Sequence, residues 1–450
     1  MRGFFVVDLG FGDAGKGLLT DFLVRRTGAG LVVRYNGGAQ AGHNVVAPDG
    51  THHTFSQFGS GTLVPGVRTF LSRHVVIHPP GLWAELQALE SKGIGDALAR
   101  LRISRGARII TPYHQAANRL RERVRGAERH GSCGIGLGET MRDALDFPDE
   151  TVRAEDLENR TLLRKKLAQI RERKSAEAAK LAEGCRENPR IADEMEMFRN
   201  PYIPEAWIAS AARLAESGSI VPDAFLPEWA GGTPAVVFEG AQGVLLDEEY
   251  GFHPYTTWSR CTVANAEEIM VENFPGMRAE KIGVLRSYAV RHGPGPLPTE
   301  TGELASAVSE HNTEGEWQGP VRYGWFDAVL AQYALDAVGG VDRMVITHMD
   351  ALRHLEHWSM GRGYSFHDGP EGSSDEILTC LPVLPAEAIE PRMQLTESLR
   401  RATPIFETCQ PDEQTVRGKL EEILGRKIDA VSRGPRAADV ETFGDFAKKE

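Results

Sequence analysis

No stretch of this chain approaches the ~18 uninterrupted apolar residues that a membrane-spanning helix needs. The apolar run near the start, Phe4-Phe5-Val6-Val7, is too short for a signal-peptide core, and a glycine-rich turn follows at once. Cysteine is sparse. Cys133, Cys185, Cys261, Cys380 and Cys409 form an odd, widely spaced set with no CxxC pair. That spacing argues against a zinc ribbon or a disulfide framework and points to a reducing cytosol. Positive charge is in deficit, with a net charge of −12. The balance speaks against nucleic acid or a membrane surface as partner, while leaving room for local phosphate pockets. Internal repeats and long low-complexity tracts are missing as well.

What is present suits a large buried core: 450 residues, of which 41% are hydrophobic. Short apolar runs rich in Val and Ile at 4–7, 31–33, 75–77, 235–238, 282–285 and 344–347 read as strands buried on both faces. Helical patterns lie between them, at 80–92 and 111–124 for example. The expected fold is a doubly wound α/β body with a mostly parallel central sheet and helical insertions. Residues 1–450 read as one continuous unit. Residues 155–217, rich in Ala, Glu, Lys, Arg and Leu, read as a helical subdomain within it. Residues 361–408 carry few signals.

The strongest local signal follows the first strand. Gly10 to Lys16 satisfies G-x-x-x-x-G-K, the phosphate-loop spacing. Gly12 and Gly15 let backbone N–H groups turn toward an anion, and the next helix adds its positive end. Lys16 supplies a point charge for a phosphate. Gly17 stands where the usual motif has a hydroxyl for Mg²⁺, so the metal ligand must come from elsewhere; Asp13 is the candidate inside the loop.

Gly12-Asp13-Ala14-Gly15-Lys16-Gly17 resembles the G-D-E-G-K-G signature of the adenylosuccinate synthetase family, with Ala14 in place of the glutamate. Further segments match in order. Residues 32–44 resemble V-V-R-Y-x-G-G-x-N-A-G-H-T, and 238–247 resemble F-E-G-A-Q-G-x-L-L-D. Residues 253–257 resemble Y-P-Y-V-T, 291–300 resemble R-V-G-x-G-P-F-P-T-E, and 324–327 resemble G-W-L-D. Thr347-His348-Met349-Asp350 resembles T-K-L-D, and 432–436 resemble S-V-G-P-x-R. The matches run from Gly10 to Arg436.

The resemblance implies a GTP- and Mg²⁺-dependent ligase. It would phosphorylate the 6-oxygen of a purine nucleotide like inosine monophosphate and replace that oxygen with an amine, aspartate in the family. Asp13 would be the base and a metal ligand, with the Gly42 carbonyl as a second ligand. His43 would stabilise the transferring phosphoryl group, and Gln242 would contact the purine. The other thirteen histidines are given no catalytic role. GTP would be held by Gly12, Gly15, Lys16, Gly17, His348, Asp350, Ser432 and Gly434, with Asp350 reading the guanine. Asn36, Ser132, Cys133, Thr257, Arg291 and Arg322 would bind substrate. A homodimer is expected, each subunit lending a cation to its neighbour; Arg142 and Arg153 are the candidates.

The acceptor half departs from the family. T-T-G-R-G-I-G-P appears as Ser132-Cys133-Gly134-Ile135-Gly136-Leu137-Gly138-Glu139, which loses an arginine. The arginine-rich loop that grips aspartate appears as Glu316-Trp317-Gln318-Gly319-Pro320-Val321-Arg322-Tyr323. Glu314 and Glu316 would repel a dicarboxylate, while Trp317 and Tyr323 offer aromatic surface to an apolar or cationic amine. Gln40 and Asn44 flank His43 where the family has asparagine and threonine. The alternatives are therefore a divergent homologue with another amine or nucleotide in a specialised pathway, a kinase-like activator serving a different nucleophile, or a nucleotide-binding sensor without turnover.

Overall fold

A computed structural model describes residues 1–185, 188–308, 316–366 and 377–448. Its centre is a ten-stranded sheet. Numbered within that sheet, the strands are β1 (Arg2–Asp8), β2 (Leu31–Arg34), β3 (Arg68–Leu71), β4 (Leu101–Ser104), β5 (Ile220–Val221), β6 (Ala235–Glu239), β7 (Arg278–Arg286), β8 (Arg343–Thr347), β9 (Ala430–Ser432) and β10 (Val440–Thr442). They lie in the order β10-β9-β8-β7-β1-β6-β2-β3-β4-β5. Only the β9–β10 pair is antiparallel.

The strand order explains the unbroken apolar runs. Phe5 and Val7 of β1 join Val236 and Phe238 of β6 in the core on one face. Phe4 and Val6 join Ala235 and Val237 on the other. A strand covered on both faces gains from apolar residues at every position. The runs at 4–7, 31–33, 235–238, 282–285 and 344–347 all lie in this sheet. The run at 75–77 does not: Val76–Ile77 pairs with Arg108–Ile109 in a separate two-stranded ladder. β3, β4 and β5 join the sheet without a strong apolar signal of their own.

The helices that matter for the site are α1 (Lys16–Thr27), α2 (Pro79–Ser91), α3 (Pro112–Arg125), α4 (Leu137–Asp146), α5 (Arg160–Leu181), α6 (Pro189–Arg199) and α7 (Ile203–Glu216). α1 starts at Gly15, whose φ of 90° suits glycine, and ends at Gly28, whose N–H bonds the Val24 carbonyl. Thr111 caps α3 in a reciprocal pair with His114. Residues 155–217 are mostly helical, as α5, α6 and α7, and α5 packs on α3. Residues 361–408, weak in sequence signal, include parts of strands Trp358–Ser365 and Thr403–Cys409 and the helix Ile389–Arg401.

Candidate functional site

In a parallel sheet every strand delivers its following loop to the same edge, and ligands bind at that carboxyl edge. Here β1 delivers the loop from Leu9 to Gly15, β6 the segment from Gly240 to Gly243, β2 the Tyr35–Gly38 turn and β8 His348 to Asp350. The loops after β1 and β6 touch. A Cβ at Gly243 would lie 2.1 Å from the Gly10 carbonyl oxygen, so only glycine allows this approach.

Asp8 organises the phosphate loop. Its Oδ1 accepts from Gly10 N at 2.9 Å, and its Oδ2 accepts from Ala14 N at 2.9 Å and from Lys16 Nζ at 2.8 Å. Lys16 is thus paired within the fold and almost fully buried. From behind, the Thr347 hydroxyl donates to the Ala14 carbonyl at 2.9 Å. Gly17 lets the hairpin that starts with His43 come close, since a Cβ there would lie 2.9 Å from the Asn44 carbonyl.

Above this loop lies a cavity of about 930 Å³. Its wall brings together Gly12, Asp13, Lys16, Gly42, His43, Ser132, Cys133, Gln242, Thr257 and Arg291. His43 Nδ1 lies 2.6 Å from Glu239 Oε1. Burial lowers the His43 pKa, so the ring is neutral and donates through Nδ1. Burial works against the Glu239 carboxylate, but Arg34 and His43 outweigh it and hold the group below its ordinary range. Ser60 N donates to the same carboxylate at 3.0 Å, and Ser60 Oγ donates as well. Asp13, at φ 57°, meets His292: Nε2 lies 2.7 Å from Oδ2. Burial opposes its charge, but the His292 hydrogen bond, with the charges of His292, Lys16 and Arg286, holds its pKa at about 2.

Gln242 also has positive φ, 56°, and its Oε1 is buried with no hydrogen-bond partner. Both amide atoms of Gln40, on the same wall, are likewise unsatisfied. Buried polar atoms are normally paired, so these amides mark a place where a polar ligand edge fits. Ser132 Oγ accepts from Asn118 at 2.9 Å. Burial pushes the Cys133 thiol up to about 11, so it is a neutral contact at physiological pH.

Other expected site residues serve the protein itself. Asn36 is fully buried and exchanges both amide bonds with Ala241, at 2.7 and 3.0 Å. Its role is to staple the loops after β2 and β6. Arg291 spends its guanidinium on the carbonyls of Pro294, Pro296 and Tyr255 and stacks 4.1 Å over Phe11. Arg322 pairs with Glu300 and the carbonyls of Gly293 and Gly295. It faces a second cavity of about 480 Å³, not the main one. Trp317 is half-buried against Gly134, with Arg119 and Arg123 over its ring at 5.4 and 4.5 Å. Its ring is packed rather than presented, which corrects the expectation of an open aromatic surface. Glu316 is exposed near Arg123, and Glu314 lies outside the described residues.

His348, Asp350, Ser432 and Gly434 lie away from the main cavity, behind the phosphate loop. His348 has positive φ, and its Nε2 is 2.6 Å from Arg286 Nη2. Burial, then Arg286, keeps it neutral. Asp350 sits in the turn Met349–His354, which packs on β9, the strand that ends at Ser432. Ser432 Oγ donates to the Gly434 carbonyl at 2.7 Å. Among the described residues, no group of three His, Cys, Asp or Glu could hold a metal alone, and no helix is long and apolar enough to cross a membrane.

Three contributors escaped the sequence reading: Asp8, Glu239 and His292. Each lies inside or beside a quoted motif. Glu239 and His292, however, meet their partners only across 196 and 279 residues of chain.

A glycine-rich anion cradle at the carboxyl edge of a parallel sheet, facing a buried carboxylate and a neutral histidine, defines a nucleotide-dependent phosphoryl-transfer enzyme. The adenylosuccinate synthetase family model matches residues 5–440. The adenylosuccinate synthetase of Caldanaerobacter subterraneus subsp. tengcongensis is 30% identical over 98% of this chain and 99% of its own. That of Mycobacterium leprae is 32% identical over 94% of each. Among solved structures, a fully ligated adenylosuccinate synthetase from Plasmodium falciparum superposes with a TM-score of 0.78 at 20% identity, over 98% of this chain and 99% of its own. A cyanophage S-2L succinoaminodeoxyadenylate synthetase, bound to dGMP and dATP, gives 0.57 at 18% identity, over 98% and 95%. The chain belongs to the adenylosuccinate synthetase family, ligases that form a C–N bond with hydrolysis of GTP.

Proposed function

We propose that the chain transfers the γ-phosphoryl group of GTP to the 6-oxygen of a purine nucleotide like inosine monophosphate, and that an amine, aspartate in the first instance, then displaces the phosphate. The observation that carries this reading is the convergence of Asp13, Lys16, His43 and Gln242 on one cavity wall from three separate stretches of chain. Asp13 takes the N1 proton as the 6-oxygen attacks phosphorus. His43, oriented by Glu239, keeps Nε2 for the transferring group. The Gln242 amide meets the purine edge, and Ser132, Cys133 and Thr257 line the rest of the acceptor pocket. The phosphate loop from Gly12 to Gly17 holds the triphosphate, and the His348–Asp350 turn with Ser432 and Gly434 forms the guanine end.

Mg²⁺ is part of the proposal. Asp13 and the Gly42 carbonyl are the protein oxygens that would hold it, and a hard cation takes its remaining ligands from phosphates and water. When bound, it would neutralise charge on the nucleotide phosphates. A homodimer is also proposed. Arg142 bonds Glu139 and Glu177 within its own chain, and Arg153 bonds the Gly106 carbonyl, so either would have to exchange partners to serve a neighbour. The five free thiols accord with a reducing cytoplasm.

One observation favours a second reading for the amine. Arg291 and Arg322, the two cations among the expected substrate-binding residues, are both committed to acceptors of the protein. An amine with fewer carboxylates fits that arrangement. The deciding experiment is GDP release from GTP and Mg²⁺ with inosine monophosphate, with and without aspartate, with product masses read in parallel. A succinylated nucleotide establishes the first reading. GDP release with other amines but not with aspartate establishes the second. No purine-dependent GDP release under any condition overturns both.

A further inference from the structure

The wall of the main cavity carries several cations, and the fold spends nearly all of them on its own acceptors. Lys16 bonds Asp8, Arg121 bonds Glu139, Arg125 bonds Glu122 and Arg142 bonds Glu139 and Glu177. Arg260 pairs with Glu249, and Arg291 bonds backbone carbonyls. Arg108, on the same wall, is the exception. Among the described residues no carboxylate forms an ion pair with it, and its Nε is buried without a hydrogen-bond partner. Burial and the neighbouring charge of Arg153 work against its guanidinium; only Glu248 favours it, and Glu248 pairs with Arg260 instead, at 3.8 Å. Arginine keeps its charge at any physiological pH. A half-buried guanidinium with no counter-ion in the fold therefore marks a place for an anion from outside it. We propose that Arg108 binds the 5′-phosphate of the acceptor nucleotide. This rests on the acceptor proposed above.

The backbone under Arg108 is fixed on two sides. Arg108–Ile109 pairs with Val76–Ile77, and Arg108 also bridges Arg153. Val76 in turn bridges Gly38, and its N–H donates to the Gly37 carbonyl at 2.9 Å. The Gly37 N–H donates to Ser259 Oγ at 3.0 Å. Three segments of the cavity wall are thus tied together: the Arg108 strand, the turn that leads to the unsatisfied Gln40 amide, and the stretch that carries Thr257. The charges that Arg108 feels are those of Arg153 and Glu248, not those of Asp13 or Lys16, so it stands apart from the cradle assigned to GTP. The reaction brings two nucleotides into one cavity, and the second has a phosphate of its own. That dianion needs a cation to offset its desolvation, and a guanidinium presents two parallel N–H groups to phosphate oxygens.

The test compares inosine monophosphate with inosine, which lacks only the phosphate. Both are titrated by calorimetry into the full-length protein in the presence of GDP and Mg²⁺. The wild type is expected to bind the nucleotide more tightly than the nucleoside. Arg108→Gln is expected to weaken inosine monophosphate roughly 10- to 100-fold, the scale of a lost charged hydrogen bond. Its affinities for inosine and for GDP should stay within about twofold of the wild type, which also shows that the variant is folded. Arg108→Lys, which keeps the charge but not the fork, should recover part of the loss. An Arg108→Gln variant that binds inosine monophosphate like the wild type, or that weakens nucleotide and nucleoside alike, defeats the role of Arg108 alone. A wild type that binds neither defeats the reading of the acceptor, and the role of Arg108 with it.

Discussion

At the residue scale the site is a set of matched pairs: Asp8 with Lys16, Glu239 with His43, His292 with Asp13. Lys16, His43 and Asp13 line the cavity, and each is bonded to a partner reached from another part of the fold or of the loop. Removing the carboxylate charge in Asp13→Asn is expected to lower kcat by about 10²- to 10⁴-fold, the usual contribution of a positioned base. GTP affinity, read by calorimetry, should change by no more than roughly threefold, since backbone amides and Lys16 supply most of the cradle. A variant that turns over like the wild type would mean that Asp13 is not the base. The cavity-facing members were legible in the sequence because short motifs with fixed spacing carry them. Their partners were not. No local pattern states that residue 292, at the end of the strand Ala289–His292, will reach residue 13. Nor was it legible that Asn36 and Arg291 would be absorbed by the backbone, because carbonyl acceptors leave no trace in sequence.

At the scale of elements, the loop after β6 is locked against the loop after β1. Gly243→Ala would drive a methyl into the Gly10 carbonyl and Gly12 amide, so the two loops would have to part. GTP binding measured by calorimetry is expected to fall at least tenfold while the far-ultraviolet circular dichroism spectrum stays unchanged; retained affinity would show that the cradle tolerates the shift. A second junction joins the helical region to the cavity wall. Lys174 of α5 is wholly buried and bonds Glu139 at 3.0 Å and Asp143 at 2.5 Å, both on α4. Lys174→Met would leave these carboxylates with less compensation, at an expected cost of about 3–5 kcal/mol in urea unfolding. A loss below about 1 kcal/mol would place the pair among weak surface bridges. The sequence marked residues 155–217 as helical from composition. It did not mark this lysine as buried, because a long Ala-Glu-Lys-Arg helix reads as a solvated surface. The strands divide the same way. β1 and β6 announce themselves by apolar runs, whereas the Arg68-Thr69-Phe70-Leu71 strand and the two-residue β5 gain their place only from neighbours.

At the scale of the whole molecule, the histidines set the acid limit. Burial lowers the pKa of His43, His114 and His348, and that of His78 falls to about 4. Each ring binds a proton less readily folded than unfolded. The stability they contribute is therefore complete above pH 6.5 and is lost as pH falls toward 4. Thermal midpoints are expected to be level from pH 7 to 8 and to drop steadily below 6.5; a flat profile down to pH 4.5 would contradict the burial of these rings.

The bond between Lys16 and Asp8 gives the cradle a threshold. Asp8 is an anion tethered to the very loop that is meant to hold an anion, and its effective concentration at the ammonium far exceeds that of free ions in solution. Any incoming phosphate competes with it for Lys16. A lone phosphate or sulfate offers little more than the carboxylate already there and gains little from the exchange. A triphosphate held as proposed would also engage the loop amides and the start of α1, and so would compete better with the tether. If Lys16 holds the nucleotide as proposed, Asp8 is a built-in competitor that a polyphosphate would displace more readily than a lone small anion.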